Sequence, residues 1–360
     1  MSDIYIKQEK WRKIMEKIDL LSLTYEELEN YLVENAEKKF RAKQIFDWLH
    51  NKKVDDFDDM TNISKECLQK LKETSYLTSM ELVKKQVSNI DETTKYLFKL
   101  TDGNFIESVF MKYKFGNSVC ISSQIGCHMG CSFCASTVNG LVRNLTAGEM
   151  LKQIYIVEKD TNERVSNVVI MGSGEPFENY DNVIKFIKNI TNPNGLNIGQ
   201  RHISVSTCGL VDKIYKFADE KTQVNLAISL HAPNDDIRKQ IMPIAKKYSI
   251  KEIMEACKYY VKVSNRRVNI EYAMMQGVND SLKDARELAH VLKGLLCYVN
   301  LIPVNEIAEN EYKKANMSVV NNFARELDKC GIQTTVRREL GSDIDAACGQ
   351  LRNKQMEEDR

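Results

Sequence analysis

The spacing of apolar and polar residues changes character along this chain. Near the start apolar residues recur at helical intervals: Leu28, Tyr31 and Leu32, then Phe40, Ile45, Phe46, Trp48 and Leu49, then a stretch from about Ser64 through Leu71. Thr24-Tyr-Glu-Glu27 has the form of a capping box, which starts the first of these helices. Residues 1–75 are therefore expected to form a small helical module, with a polar, ragged extension up to about Asp19. From about Met80 the period shortens to two, in runs beginning at Glu81, Thr94 and Phe105, and Thr101-Asp-Gly-Asn104 supplies a hairpin turn. Residues 76–117 are expected to be a β extension leading into the main domain.

From residue 118 strand, loop and helix alternate. Candidate strands are Ser118–Ser122, Asn167–Met171, His202–Thr207, Val224–Leu230, Val268–Ala273 and Tyr298–Ile302. Helical stretches such as Thr146–Glu158, Tyr180–Ile190, Ile250–Val263 and Ser281–Leu295 separate them. This predicts an α/β fold, a partial (β/α)6 barrel over residues 118–351 with a tail at 352–360, and it predicts chemistry at the strand C-termini. The unusual residues fall there: a cysteine loop after the first strand, Gly172-Ser-Gly-Glu-Pro176 after the second, Ser206-Thr207, Ser229-Leu-His231 and Pro303-Val-Asn305. Gly172 and Gly174 do not complete a dinucleotide fingerprint, but they let backbone carbonyls approach a small ligand.

Length and composition add limits. A chain of 360 residues with 43% hydrophobic content sustains a sizeable core. The charged start and the lack of a long apolar run predict a cytoplasmic protein without a membrane partner. A net charge of +1 leaves nucleic acid open, and basic pairs such as Lys38-Lys39 and Arg337-Arg338 are ordinary surface features unless they share a face.

Ten cysteines in a reducing compartment are unsuited to a disulfide framework, and three of them stand out. Cys127, Cys131 and Cys134 follow one another at intervals of four and three residues, with glycines at 126 and 130 and Phe133 before the last. Three thiolates at this spacing can hold three corners of a cubic iron-sulfur cluster and leave one iron open to a substrate. The alternative is a structural zinc site, which would have to recruit His128 or a distant cysteine as fourth ligand.

The CxxxCxxC pattern resembles the radical S-adenosylmethionine (SAM) enzymes. Cys120-Ile-Ser-Ser-Gln-Ile-Gly-Cys127, Gly140-Leu-Val-Arg-Asn-Leu-Thr146, Met171-Gly-Ser-Gly-Glu-Pro176, Ser229-Leu-His-Ala-Pro-Asn-Asp235 and Asp343-Ile-Asp-Ala-Ala-Cys-Gly-Gln-Leu351 narrow the resemblance to the dual-specificity ribosomal and transfer RNA adenine-2-methyltransferases. That resemblance implies one [4Fe-4S] cluster on Cys127, Cys131 and Cys134, and two SAM molecules per turnover. Gly174, Glu175, Ser206, Ser229, Leu230, His231 and Asn305 would line the SAM pocket. It further implies that Cys348 accepts a methyl group from one SAM, and that a radical from the second abstracts hydrogen from that methyl, so that the resulting methylene radical adds to the base. Glu107 would take the ring proton, and Cys120 would release the product through a transient disulfide with Cys348.

On their own terms these residues have plainer readings: a lone Glu in an alternating strand faces solvent, His231 is a loop histidine held by a backbone hydrogen bond, and Cys348 is a close-packed small residue. The implied partners are 23S ribosomal RNA, adenine 37 of transfer RNA, and an electron donor such as flavodoxin or ferredoxin. The implied role of the helical module is RNA binding. Because every cofactor motif lies downstream of it, removing residues 1–75 is expected to spare SAM cleavage. A carbon-8 methylating resistance branch shares the same machinery but tends to carry alanine where this chain has Pro176. The alternative from a different class is a non-catalytic, zinc-stabilised RNA-binding protein.

Overall fold

The computed structural model describes residues 17–305 and 311–346. Its N-terminal part comprises β1 (Ile18–Asp19), α1 (Tyr25–Glu34), α2 (Arg41–His50), α3 (Lys65–Thr74) and β2 (Ser75–Tyr76). The capping box at Thr24 is complete: the Thr24 hydroxyl accepts from the Glu27 N–H, and the Glu27 carboxylate accepts from the Thr24 N–H. Residues 1–16 lie outside the described residues, but the segment after them is not ragged. β1 pairs in parallel with β2, and buried Asp19 accepts hydrogen bonds from the Leu21 N–H and the Ser22 and Thr78 hydroxyls. A polar residue that satisfies three donors belongs inside, which polarity alone does not convey.

There follow β3 (Met80–Val87), β4 (Thr94–Leu100), β5 (Phe105–Tyr113) and β6 (Gly116–Ile121), an antiparallel meander. The short ribbon β7 (Gln124–Gly126) and β8 (Leu141–Asn144) brackets the cysteine loop. The repeating part is α4 (Ala147–Thr161), β9 (Asn167–Ile170), α5 (Tyr180–Ile190), β10 (Ile203–Thr207), α6 (Val211–Asp219) and β11 (Asn225–Ser229), and it continues with α7 (Asp235–Ile241), α8 (Ile250–Ser264), β12 (Val268–Met274), α9 (Leu282–Leu292) and β13 (Cys297–Pro303). α10 (Met317–Lys329) and β14 (Thr334–Val336) complete it. The strands form one ten-stranded sheet in the order β14-β13-β12-β11-β10-β9-β6-β5-β4-β3, parallel from β6 through β14. This is the α/β partial barrel, and the meander continues its sheet, because β5 hydrogen-bonds directly to β6.

Parallel strands are covered on both faces, and β12 is buried along its whole length. α4 is covered too: eleven of its fifteen residues are buried, because the Leu20–Ser22 turn packs on it and the end of α2 and the loop after it reach it through His50, Lys53 and Asp55. The His50 Nδ1 lies 2.7 Å from the Tyr155 hydroxyl, Lys53 pairs with Glu158 at 2.5 Å, and Lys152 pairs with Asp55. The hydrophobic core runs without interruption from the N-terminal helices into the barrel. Deleting residues 1–75 would therefore uncover α4, and the expectation that the cofactor half stands unharmed without them does not survive this packing. Among the described residues no helix is long and apolar enough to cross a membrane.

Candidate active site

The C-terminal ends of the parallel strands surround one open cavity of about 170 Å³. The cysteine loop enters it after β6, Gly172 after β9, Thr207 from the end of β10, Ser229 from β11, Asn305 after β13 and Arg337 after β14. The loop is held at both ends. The Cys127 N–H donates to the Gly140 carbonyl at 3.1 Å, and the Ser132 N–H donates to the Ile241 carbonyl at 3.0 Å. Gly126 has φ +72 and an added Cβ would stand 1.9 Å from the Gly140 oxygen, so only glycine admits this approach.

Cys127, Cys131 and Cys134 all line the cavity, whereas His128 is half-exposed and directs its Nε2 to Glu178 at 2.9 Å. Burial pushes the Cys127 thiol up to about 12 and the Cys131 thiol well above its ordinary range, so forming their thiolates needs a cation on the spot. Among the described residues no three His, Cys, Asp or Glu side chains converge where one ion could sit. All three thiols thus face one cavity, where a bound metal group would hold them as thiolates.

The turn after β9 is built to present backbone. Gly172 passes so close to β6 that a Cβ would meet the Ile121 carbonyl at 2.7 Å, and Gly174, at φ +104, would meet Gln124 at 2.5 Å. The buried Glu175 carboxylate faces away from a ligand role: one oxygen accepts from the Phe177 N–H at 2.9 Å and the other from the Cys208 N–H at 2.7 Å. It braces the turn, leaving main-chain groups toward the cavity. The Ser206 and Ser229 hydroxyls lie 3.2 Å apart on the cavity wall.

His231 adopts φ +56, unusual for a residue with a side chain. Its carbonyl accepts from Asn279 at 2.8 Å and its Nδ1 accepts from the Ala273 N–H at 2.9 Å. The plain reading of a backbone-held histidine is therefore correct, and the same residue also lines the cavity, edge-on to Phe133 at 4.9 Å. Burial lowers its pKa to about 3, so the ring is neutral and carries its proton on Nε2. Leu230 is fully buried behind the wall, its N–H donating to the Glu271 carbonyl.

A second cavity of about 80 Å³ adjoins the first, and Cys134, Met171, Gly172 and Asn305 line both. Cys120 lines the second, opposite Val109 in the β5–β6 register, and Val109, Met111, Cys120 and Ala346 form an apolar cluster of their own. Glu107 shares that face of β5, because alternate strand residues point the same way. It is buried rather than solvent-facing, with Lys95 Nζ 3.4 Å from its carboxylate. Cys348 lies outside the described residues, two positions beyond Ala346.

Sequence reasoning missed Glu271, Cys208 and, as part of a site, Arg337, all of which line the first cavity. A signal existed for Glu271, a charged residue in the apolar run Val268–Met274, now buried and accepting from Asn300 at 2.9 Å. Cys208 had none.

A parallel α/β partial barrel whose strand ends enclose a three-cysteine loop and a glycine-bearing turn defines a radical SAM enzyme. Comparisons agree: residues 18–77 match the ribosomal RNA large subunit methyltransferase N-terminal domain, and residues 121–289 match the radical SAM superfamily. The chain is 58% identical over 334 residues to the probable dual-specificity RNA methyltransferase RlmN of Clostridium novyi, covering 93% of this chain and 97% of that one. It is also 58% identical to the protein of that name from Alkaliphilus oremlandii, covering 95% of this chain and 100% of that one. The crystal structure of a radical SAM methyltransferase from Sphaerobacter thermophilus superposes with a TM-score of 0.88 at 42% identity, covering 93% of this chain and 99% of that chain. The chain belongs to the RlmN family of radical SAM RNA methyltransferases.

Proposed function

We propose that the protein methylates carbon 2 of an adenine in 23S ribosomal RNA and of adenine 37 in transfer RNA, with SAM in the first cavity and the target base in the second. The observation that carries this reading is the contact between the two cavities: one holds the three cluster cysteines, and the other holds Cys120 and leads to Ala346, two residues before Cys348. Cys127, Cys131 and Cys134 would hold one [4Fe-4S] cluster, which, fed by a flavodoxin or ferredoxin, supplies the electron for reductive cleavage of SAM. A carbon between two ring nitrogens has no lone pair with which to attack a sulfonium, so polar transfer fails there and one-electron chemistry is required.

The chain's own residues supply the rest. The main chain of the turn from Gly172 to Glu175, the Ser206 and Ser229 hydroxyls, the His231 Nε2–H and Asn305 orient SAM. The apolar wall of Val109, Met111 and Leu340 suits a flat base, while Arg337 and Arg338 at the same cavity suit its phosphates. Cys348 carries the methyl-derived carbon; once that carbon has bonded to the ring, Glu107 accepts the ring proton and the one surplus electron of the adduct would return to the oxidised cluster. The Cys120 thiolate then attacks the Cys348 sulfur: a disulfide forms, the sulfur–carbon bond breaks, and its electron pair leaves with the carbon, which takes a proton to become the methyl. Pro176, on the wall of the first cavity, favours carbon 2 over the carbon-8 branch. α1–α3 are proposed to present the RNA, and the working division of the chain is 1–75, 76–117 and 118–351.

Anaerobic purification tests the cofactor reading directly. A brown protein that yields 5′-deoxyadenosine from SAM under reducing conditions agrees with it. A colourless, zinc-loaded protein without cleavage would favour the binding-protein alternative.

A further inference from the structure

We propose that Lys95 is a positioning residue of the methyl transfer, its ammonium joining the Glu107 carboxylate to the main chain just before Cys348. The inference rests on the roles given above to Glu107 and Cys348. Lysine is rarely buried without a purpose, and Lys95 is only 7% exposed. In the sheet register Lys95 of β4 stands opposite Val109 of β5, and Val109 stands opposite Cys120 of β6. Residues directly opposite share a face, so Lys95, Glu107 and Cys120 project from one side of the sheet. The Lys95 Nζ lies 3.4 Å from Glu107 Oε1 and donates to the Asp345 carbonyl at 3.3 Å.

The segment it touches is docked onto the β3–β4 turn by further contacts. The Gly341 N–H donates to the Asp91 carboxylate at 2.9 Å, and the Asn89 N–H donates to the Asp343 carboxylate at 3.0 Å. Gly341 also packs so tightly that a Cβ would meet Ala346 at 2.7 Å. Asp345 itself sits at φ +50, in the left-handed region, with its carbonyl on the ammonium. Of these tethers only Lys95 also reaches Glu107. Stability gives no account of it, since a buried ion pair is often no better than well-packed apolar residues of the same volume. The ammonium fixes where the Glu107 carboxylate stands, beside the segment that carries Asp345.

The test compares full-length, cluster-loaded Lys95→Met, Lys95→Arg and Glu107→Gln with the unaltered protein on an RNA fragment. Methylation of Cys348 is read by mass spectrometry, covalent protein–RNA adduct on denaturing gels, and product by nucleoside analysis. Loss of a positioned base lowers rates by about 100-fold or more, so Lys95→Met should turn over at least that much more slowly. Its adduct should persist as in Glu107→Gln, and Cys348 should still be methylated, because the Asp91 and Asp343 contacts remain. Lys95→Arg, which restores the charge, should recover most of the turnover. Three results overturn the proposal: normal turnover in Lys95→Met, loss of Cys348 methylation in it, or no rescue by arginine. Normal turnover in Glu107→Gln removes the Glu107 assignment itself, whereas a normal Lys95→Met beside a crippled Glu107→Gln removes only the role of Lys95.

Discussion

Cys120 and Cys348 are both cysteines outside the cluster loop, yet the proposed chemistry gives them opposite parts. Cys120 is fixed on β6 against Val109 and Ala346, facing the second cavity. Without it the carbon bridge from Cys348 to the base forms but has no thiol to break it, so Cys120→Ala should accumulate a protein–RNA crosslink on denaturing gels. Cys348→Ala should form none, although its cluster assembles. A crosslink in the second variant, or repeated turnover in the first, would reverse the assignments. Glycines separate just as sharply. Gly126→Ala places a methyl group 1.9 Å from the Gly140 oxygen at φ +72 and should cost at least 2 kcal/mol, roughly, together with most of the bound iron. Gly103→Ala, at φ +88 with open space around it, should cost about 1 kcal/mol and keep its iron. Equal iron content in the two would mean that the loop's approach to Gly140 is not what shapes the site.

At the scale of elements, the seam between α2 and α4 makes a pH-dependent contribution. His50 is wholly buried against Tyr155, and burial lowers its pKa from 6.5 to about 3. The unfolded chain therefore takes up a proton below about pH 6.5 that the folded chain refuses. Stability from this residue is full above that pH and is lost as pH falls toward 3, by about 2 kcal/mol between pH 7 and pH 5. Thermal melts of His50→Gln should show a smaller difference between pH 7 and pH 5 than the unaltered protein. An identical difference would contradict it. Elements with strong local signals were legible in the sequence: the Thr24 cap, the helices over Thr146–Glu158 and Ile250–Val263, and the six strands of the parallel repeat. α7 was not, because Asp235–Ile241 has only Ile237 and Ile241 as apolar residues and offers no stripe. The burial of Glu107 was illegible for a different reason. Lys95 on the neighbouring strand stands beside its carboxylate and itself meets the Asp345 carbonyl, and no local period reports a contact across more than two hundred residues.

Across the whole molecule the N-terminal helices and the barrel are one body. The Leu20–Ser22 turn and the end of α2 complete the cover of α4, α4 packs on the sheet, and the C-terminal ends of the strands hold both cavities. RNA recognition is for that reason better probed by exposed side chains such as Lys38 and Phe40 than by removal of residues 1–75. The family membership defines a radical SAM RNA methyltransferase, and what the account adds is the carbon that receives the methyl group. Nucleoside mass spectrometry of 23S ribosomal RNA from cells lacking this protein, with and without its restoration, measures that carbon. The account predicts that 2-methyladenosine disappears and returns; 8-methyladenosine in its place, or unchanged 2-methyladenosine, would contradict it.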